Sequence, residues 1–249
     1  MKFIQKNSAC INKWLFLYKD KNKSYDIDVK NPRIQGNKNN YDNILDDLLK
    51  EQGYVCAYCM RNILSKNATI EHFIGQEYID DTGIEKGKKE DTNYKNMLVV
   101  CLGKFCKKMI KDKETLHCDS SRSNFQSKDK PNYRPLLWIS PLNIQQMKQL
   151  GFTRTGVLFY KELNIDKSTE SKIEKEIRYD LSEVLNLNCK NLKENRKRVI
   201  KIIDNSLQRH NFDKKFARKE LELWKEKNNS YKEYCQVAIY KLEKFLIDK

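Results

Sequence analysis

The sequence predicts an α+β protein, predominantly α, in which a small cysteine-rich mixed unit precedes a helical domain. Three observations carry that expectation. Five of the eight cysteines fall between positions 56 and 118. Two short segments in the same stretch have the alternation or the continuous apolar run of strands. From Ser168 onward, apolar residues recur at helical spacing to the end of the chain.

Residues 1–40 read as an irregular, basic N-terminal extension, with a short strand at KFIQK and a polar stretch at NPRIQGNKNN. From Asn40, the stretch YDNILDDLLKEQG places apolar residues at 44, 45, 48 and 49, between an Asn cap and a Gly stop. That pattern is an amphipathic helix. It delivers the chain directly into Cys56-Ala-Tyr-Cys59. Next, ATIEHFIG alternates like a half-buried strand, residues 75–95 form a polar loop, and NMLVVC is a second strand running into Cys101. The basic insertion GKFCKKMIKDKETL separates it from HCDSSRSN.

Farther on, RPLLWISPLNIQQMKQLGFTRTGVLFYK reads as a short helix ending near Gly151, then a small hairpin turning at Thr155-Gly156. STESKIEKEIRYDLSEVLNL has one apolar face at 173, 177, 181, 184 and 185. NLKENRKRVIKIIDNSLQR repeats that face at 192, 199, 203 and 207, and further helices are expected around Phe216 to Trp224 and from Ser230 to Ile247. The organisation is thus an extension over 1–40, a mixed unit over 41–130 and a mainly helical domain over 131–249. The basic run containing Arg196, Lys197, Arg198 and Lys201 is either a solvated helix face or a phosphate-tracking surface.

Composition bounds the function. Lys and Arg number 49 against 34 acids, a net charge of +15. A field of that sign favours polyanions, nucleic acid above all, although a general bias toward Lys, Asn and Ile accounts for the same charge without a partner. No apolar run approaches the roughly 20 residues needed to span a bilayer, and KWLFLYKD lacks a signal-peptide cleavage site. A cytoplasmic protein with no membrane partner is therefore expected. In that compartment thiols stay reduced, so clustered cysteines point to metal rather than disulfides. Cys10, Cys189 and Cys235 are isolated and read as small hydrophobes.

Cys56 and Cys59, at C-x2-C spacing, suit two ligands of a tetrahedral zinc, because one tight turn brings both thiolates to the same side. A redox pair would need a thioredoxin-like βαβ pattern, which is not found here. Cys101 is the third candidate, and Cys106 and Cys118 both satisfy the spacing for a fourth. One of only three histidines, His72, follows Glu71 directly; Asn96 opens the second strand and Asp119 follows Cys118.

The order Cys56-x2-Cys59, Glu71-His72, Asn96, Cys101 and Cys118-Asp119-Ser-Ser-Arg122 resembles the HNH endonucleases. Within that family, the segments LLKEQGYVCAYCMRNI, IEHF, NYKNMLVVC, HCD and LNLNCKNLKENR look like the PtuB subunits of Septu and retron-associated anti-phage systems, over most of residues 42–200. The resemblance implies a ββα-metal nuclease core stapled by a structural zinc. His72 is then the general base, Glu71 and Asp119 are hard-oxygen ligands of a catalytic Mg2+ or Mn2+, Asn96 orients the histidine, and Arg122 holds a phosphate. It favours Cys118 over Cys106 as the fourth zinc ligand. Two positions depart from the usual pattern: Glu71 stands where Asp is common, and Asp119 where Asn or His is common. The gap from Cys101 to Cys118 is also longer than the usual two residues. The implied function is hydrolysis of phosphodiester bonds in invading DNA, beside a PtuA-like ATPase subunit. Cleavage of host tRNA is the alternative within the same chemistry, and a catalytically silent zinc module that binds nucleic acid is the alternative outside it.

Overall fold

Asn7 opens a helix where the basic composition predicts irregular chain. The computed structural model describes residues 1–30, 40–104, 116–126, 133–161 and 171–247. Helix α1 (Ser8–Lys19) begins where Asn7 Oδ1 accepts the Ala9 amide at 2.8 Å, and it buries Trp14 and Leu17, three positions apart. A π-helical turn over Tyr25–Lys30 follows, with Tyr25 and Val29 buried. These side chains join Met1 and Ile4 in the same continuous apolar core as the rest of the chain. Residues 1–30 therefore pack on the protein instead of extending from it. No strand forms at KFIQK, where Ile4 makes one main-chain bond to Pro141 O, 2.9 Å.

Helix α2 (Asn40–Gln52) buries Ile44, Leu45, Leu48 and Leu49, the predicted stripe. Asn40 is its first residue, and the Asn40 amide donates to Asp28 O at 2.9 Å, which ties α2 to the N-terminal turn. The helix ends as expected. Gly53 takes φ +63°, the Tyr54 amide bonds Leu49 O at 2.9 Å, and the Gly53 amide bonds Lys50 O at 3.3 Å.

Strands β1 (Ala68–His72) and β2 (Met97–Cys101) pair antiparallel, with Ala68 opposite Cys101 and His72 opposite Met97. Every residue of β2 is buried, and its second edge is covered. The buried Gln52 side chain accepts from Val99 N and donates to Val99 O, both at 2.8 Å, and the Ala57 amide also reaches Val99 O at 3.0 Å. The link between the strands includes α3 (Lys86–Glu90). Beyond β2 come the short α4 (Asp119–Arg122) and α5 (Ile144–Lys148). A second antiparallel pair follows, β3 (Leu150–Phe152) with β4 (Leu158–Tyr160), turning near Gly156 at φ +81°. Gly151 lies inside β3 and does not end the helix.

The remaining elements are α6 (Lys172–Tyr179), continued by a π-helical turn Asp180–Val184, then α7 (Lys190–Arg209), α8 (Lys214–Lys225) and α9 (Cys235–Ile247). The described residues are thus mostly helical, with two small sheets among them. In α7 the predicted Leu192, Val199, Ile203 and Leu207 are buried, and so is Arg196. Its guanidinium bonds Gly156 O at 2.7 Å and Leu187 O at 2.6 Å, which removes it from the basic surface run and leaves Lys197, Arg198 and Lys201 exposed. Ile173, expected in the apolar face of α6, is instead 53% exposed. Among the described residues, no helix is long and apolar enough to cross a membrane.

Gly53→Ala tests the junction between α2 and the cysteine turn. Its φ is left-handed, and an added Cβ would meet Tyr231 Cδ2 at 2.5 Å. The expected cost is at least about 1–2 kcal/mol, read as a lower urea midpoint; an unchanged midpoint would contradict the assignment.

Candidate active site

The cysteine turn docks along the covered edge of β2. Cys56 N bonds Arg61 O at 2.9 Å and Met60 N bonds Cys56 O at 3.1 Å, with Met60 at φ +66° closing the turn. The next amide on that edge, Cys101 N, points at Cys56 Sγ, 3.3 Å away. Three cysteines are thereby brought together by main-chain geometry.

The fourth arrives from a distant segment. His117 N bonds Gly103 O at 2.9 Å and Cys118 N bonds Leu185 O at 2.9 Å. Gly103 is required there, because a Cβ would sit 2.1 Å from His117 O. Cys118 itself is held at φ +54°, a backbone region that side chains rarely adopt. All four sulfurs lie within 4.8 Å of one another, with Cys56–Cys118 at 3.8 Å and Cys59–Cys101 at 3.7 Å. Four sulfurs each about 2.3 Å from a tetrahedral ion stand about 3.8 Å apart, so the cluster fits a structural metal such as zinc. Burial, together with the adjoining thiols, holds Cys59 and Cys118 well above the ordinary thiol range. Four thiolates at this depth need a cation among them. Cys106, the alternative ligand, lies outside the described residues. Cys10, expected as an isolated hydrophobe, is half-buried, and Cys189 and Cys235 are buried.

Cys118 also starts α4, and α4 delivers Arg122 to the far end of β1. The guanidinium is fully buried. It donates to Glu71 Oε1, to Tyr58 OH at 3.2 Å, to His72 O at 3.1 Å, to Phe73 O at 2.7 Å and to Pro135 O at 3.2 Å. This corrects the expectation that Arg122 holds a phosphate: Nη1 and Nη2 are spent on the protein, and the whole guanidinium is out of reach of solvent. Asp119, on the same helix, is the second acidic group that bears on Glu71. Burial and that neighbouring carboxylate outweigh Arg122 and push Glu71 up to about 8. Glu71 therefore keeps its proton at neutral pH unless a cation replaces it.

Glu71 and His72 both line a cleft of about 960 Å³, together with Tyr25, Lys30, Lys88 and Gln126. Asp119 is not on the cleft wall; Ser123, one turn onward, is. The His72 Nε2 lies 2.7 Å from Asp91 O, which can only accept, so Nε2 carries the proton and Nδ1 keeps its lone pair. Burial lowers the imidazole to about 4, well under its ordinary range, so the ring is neutral throughout the physiological interval. Asn96 does not touch the ring. Its amide donates to Ile74 O at 3.0 Å and Glu90 O at 3.1 Å and accepts from Ile74 N at 2.7 Å. It fixes the chain on either side of the histidine and its Asp91 partner, so any orienting effect passes through main chain.

Three residues near these sites escaped the sequence reading. His117 is fully buried, with Nδ1 3.2 Å from Cys118 Sγ and 3.8 Å from Cys101 Sγ; adjacency to Cys118 was the available signal. Tyr25 and Asp91 contact His72, and nothing in their local sequence announces it. No known family model matches the chain, and no curated protein is significantly similar to it.

Two outcomes check this assembly. The purified chain should carry one zinc, lost in Cys56→Ser and Cys118→Ser with a fall in melting temperature and kept in Cys106→Ser. Zinc loss in Cys106→Ser, with retention in Cys118→Ser, would move the fourth ligand. Arg122→Met should cost roughly 3–5 kcal/mol in denaturant unfolding, because it strips the buried carbonyls of His72, Phe73 and Pro135 and the Glu71 carboxyl of their donor. A near-neutral result would restore Arg122 to a surface role.

Proposed function

We propose that this chain is a metal-dependent endonuclease that hydrolyses phosphodiester bonds, with His72 as general base. The observation that carries the reading is the His72 imidazole, held by the Asp91 carbonyl with Nδ1 left as acceptor, beside a two-carboxylate pair and lining an open cleft. Glu71 and Asp119 are the groups that would hold Mg2+ or Mn2+, and such an ion supplies positive charge against the phosphate and the leaving oxygen. The donor set suits such an ion: Glu71 is a buried carboxyl on the cleft wall, and Asp119 is a half-buried second carboxylate on the adjoining α4. His72 Nδ1 takes the proton of the attacking water. With burial lowering it to about 4, the ring is a weaker base than a free imidazole, so proton transfer depends on positioning more than on basicity.

The β1–β2 pair followed by the metal-anchored α4 is compatible with the ββα-metal arrangement that the motif order implies. The net charge of +15 suits a nucleic-acid substrate. The proposal extends, on the resemblance of the sequence, to invading DNA as substrate and to action beside a PtuA-like ATPase subunit. A catalytically silent zinc module would need the cysteines but not the buried acid–histidine cleft.

Incubation of the pure chain with plasmid and Mn2+ tests this. His72→Ala should lower nicking by about 10²–10⁴-fold while the chain stays folded and keeps its zinc; normal nicking by that variant would overturn the assignment. The pH dependence has a definite sign. Below about 8 Glu71 keeps its proton and opposes cation binding, so calorimetric affinity for Mn2+ should rise as pH increases from 6 toward 9. The slope is at most about tenfold per unit. A flat profile would remove Glu71 from the ligand set.

A further inference from the structure

We infer that Tyr25, anchored by Asp91, is a positioning residue that fixes the ring angle of His72; this rests on His72 being the general base. The ring centroids of Tyr25 and His72 are 4.4 Å apart and their planes meet at 90°. An edge-to-face contact of that kind has a preferred geometry and resists rotation of either ring. Both side chains are buried, Tyr25 at 5% and His72 at 6% exposure, so the contact is not a surface accident.

Asp91 joins the two. Its carboxylate Oδ2 accepts the Tyr25 amide at 3.1 Å, and its main-chain carbonyl accepts His72 Nε2 at 2.7 Å. One residue therefore fixes the tautomer of the imidazole and the place of the aromatic ring that abuts it. The turn bearing Tyr25 is itself secured. Ser24 N bonds Asp28 Oδ2 at 2.8 Å, Lys23 pairs with Asp28 at 2.9 Å, and α2 reaches Asp28 O through Asn40 at 2.9 Å. Ser24, Tyr25, Asp26 and Lys30 line the same cleft as Glu71 and His72. The N-terminal segment is thus a wall of the site, and the strand alone does not set the imidazole. A rotation of the ring about χ2 would break the Nε2 bond to Asp91 O and move Nδ1 from the position these contacts set.

The test compares Tyr25→Leu, which fills the space without a ring edge, with Tyr25→Phe, which keeps the edge and loses only the hydroxyl. Steady-state nicking of plasmid with Mn2+ is measured beside the ring-proton NMR signals of His72. Tyr25→Leu should lower kcat by about 10- to 100-fold with KM little changed, since misplacement of a reacting group costs rate and not binding. It should also remove the ring-current shift from the His72 protons. Tyr25→Phe should recover both. Tyr25→Leu with wild-type kcat, in a background where His72→Ala is inactive, overturns the positioning role alone. Nicking that survives in His72→Ala overturns the underlying base assignment, and the positioning role falls with it. If Tyr25→Leu fails to fold, Asp91→Ala serves instead. It cuts the anchor but leaves the main-chain carbonyl, and the same split between kcat and KM is expected; wild-type kcat there overturns the clamp.

Discussion

Four thiols packed within 4.8 Å of one another, each nearly or wholly out of solvent, are the constraint from which the first half of this molecule follows. Burying four ionised sulfurs without a cation would cost far more than the domain's net stability, whereas a tetrahedral ion turns the same cluster into a source of folding energy. The local backbone is bent to that end. Met60 and Cys118 both sit at positive φ, and Gly103 is small because the Cys118 segment passes too close for a side chain. These strained positions surround one point and are offset there.

From that point a short mechanical path leads to the cleft. Cys118 starts α4, α4 ends in Arg122, and the Arg122 guanidinium grips Glu71, the carbonyls of His72 and Phe73, and the Tyr58 hydroxyl of the cysteine turn. With four of its bonds the arginine ties the cysteine turn to the strand that carries the acid–histidine pair, and its planar fork suits that task better than a lysine would. Asn96 and Asp91 complete the frame from the other side, through main-chain bonds. The cleft is therefore assembled from at least five separate stretches of chain, none of which could hold His72 alone.

How much of this was legible depended on whether the signal is local. Helix α2, strands β1 and β2, the α7 stripe and the C-x2-C turn announce themselves, because periodicity, caps and ligand spacing act over a few residues. Helix α1 was hidden, since its two buried side chains, Trp14 and Leu17, sit among lysines and exposed aromatics that blur the apolar face. The role of Arg122 is hidden for a different reason. A basic residue after an acidic metal ligand reads as a phosphate clamp, and only the fold reveals that Glu71, Phe73 and Pro135 converge on it from 13 to 51 positions away. Arg196 is the same lesson within a charged run: its neighbours face solvent while it caps two buried carbonyls. Tyr25 and Asp91 carry no motif at all. Their contribution is contact geometry, which a linear pattern does not encode.

The cleft depends on the thiol cluster holding an ion with sulfur alone. X-ray absorption at the zinc edge of the purified protein tests this most directly. The predicted first shell is four sulfurs at about 2.3 Å, with no nitrogen from His117. A shell containing nitrogen or oxygen, or protein that is folded and zinc-free, would contradict it.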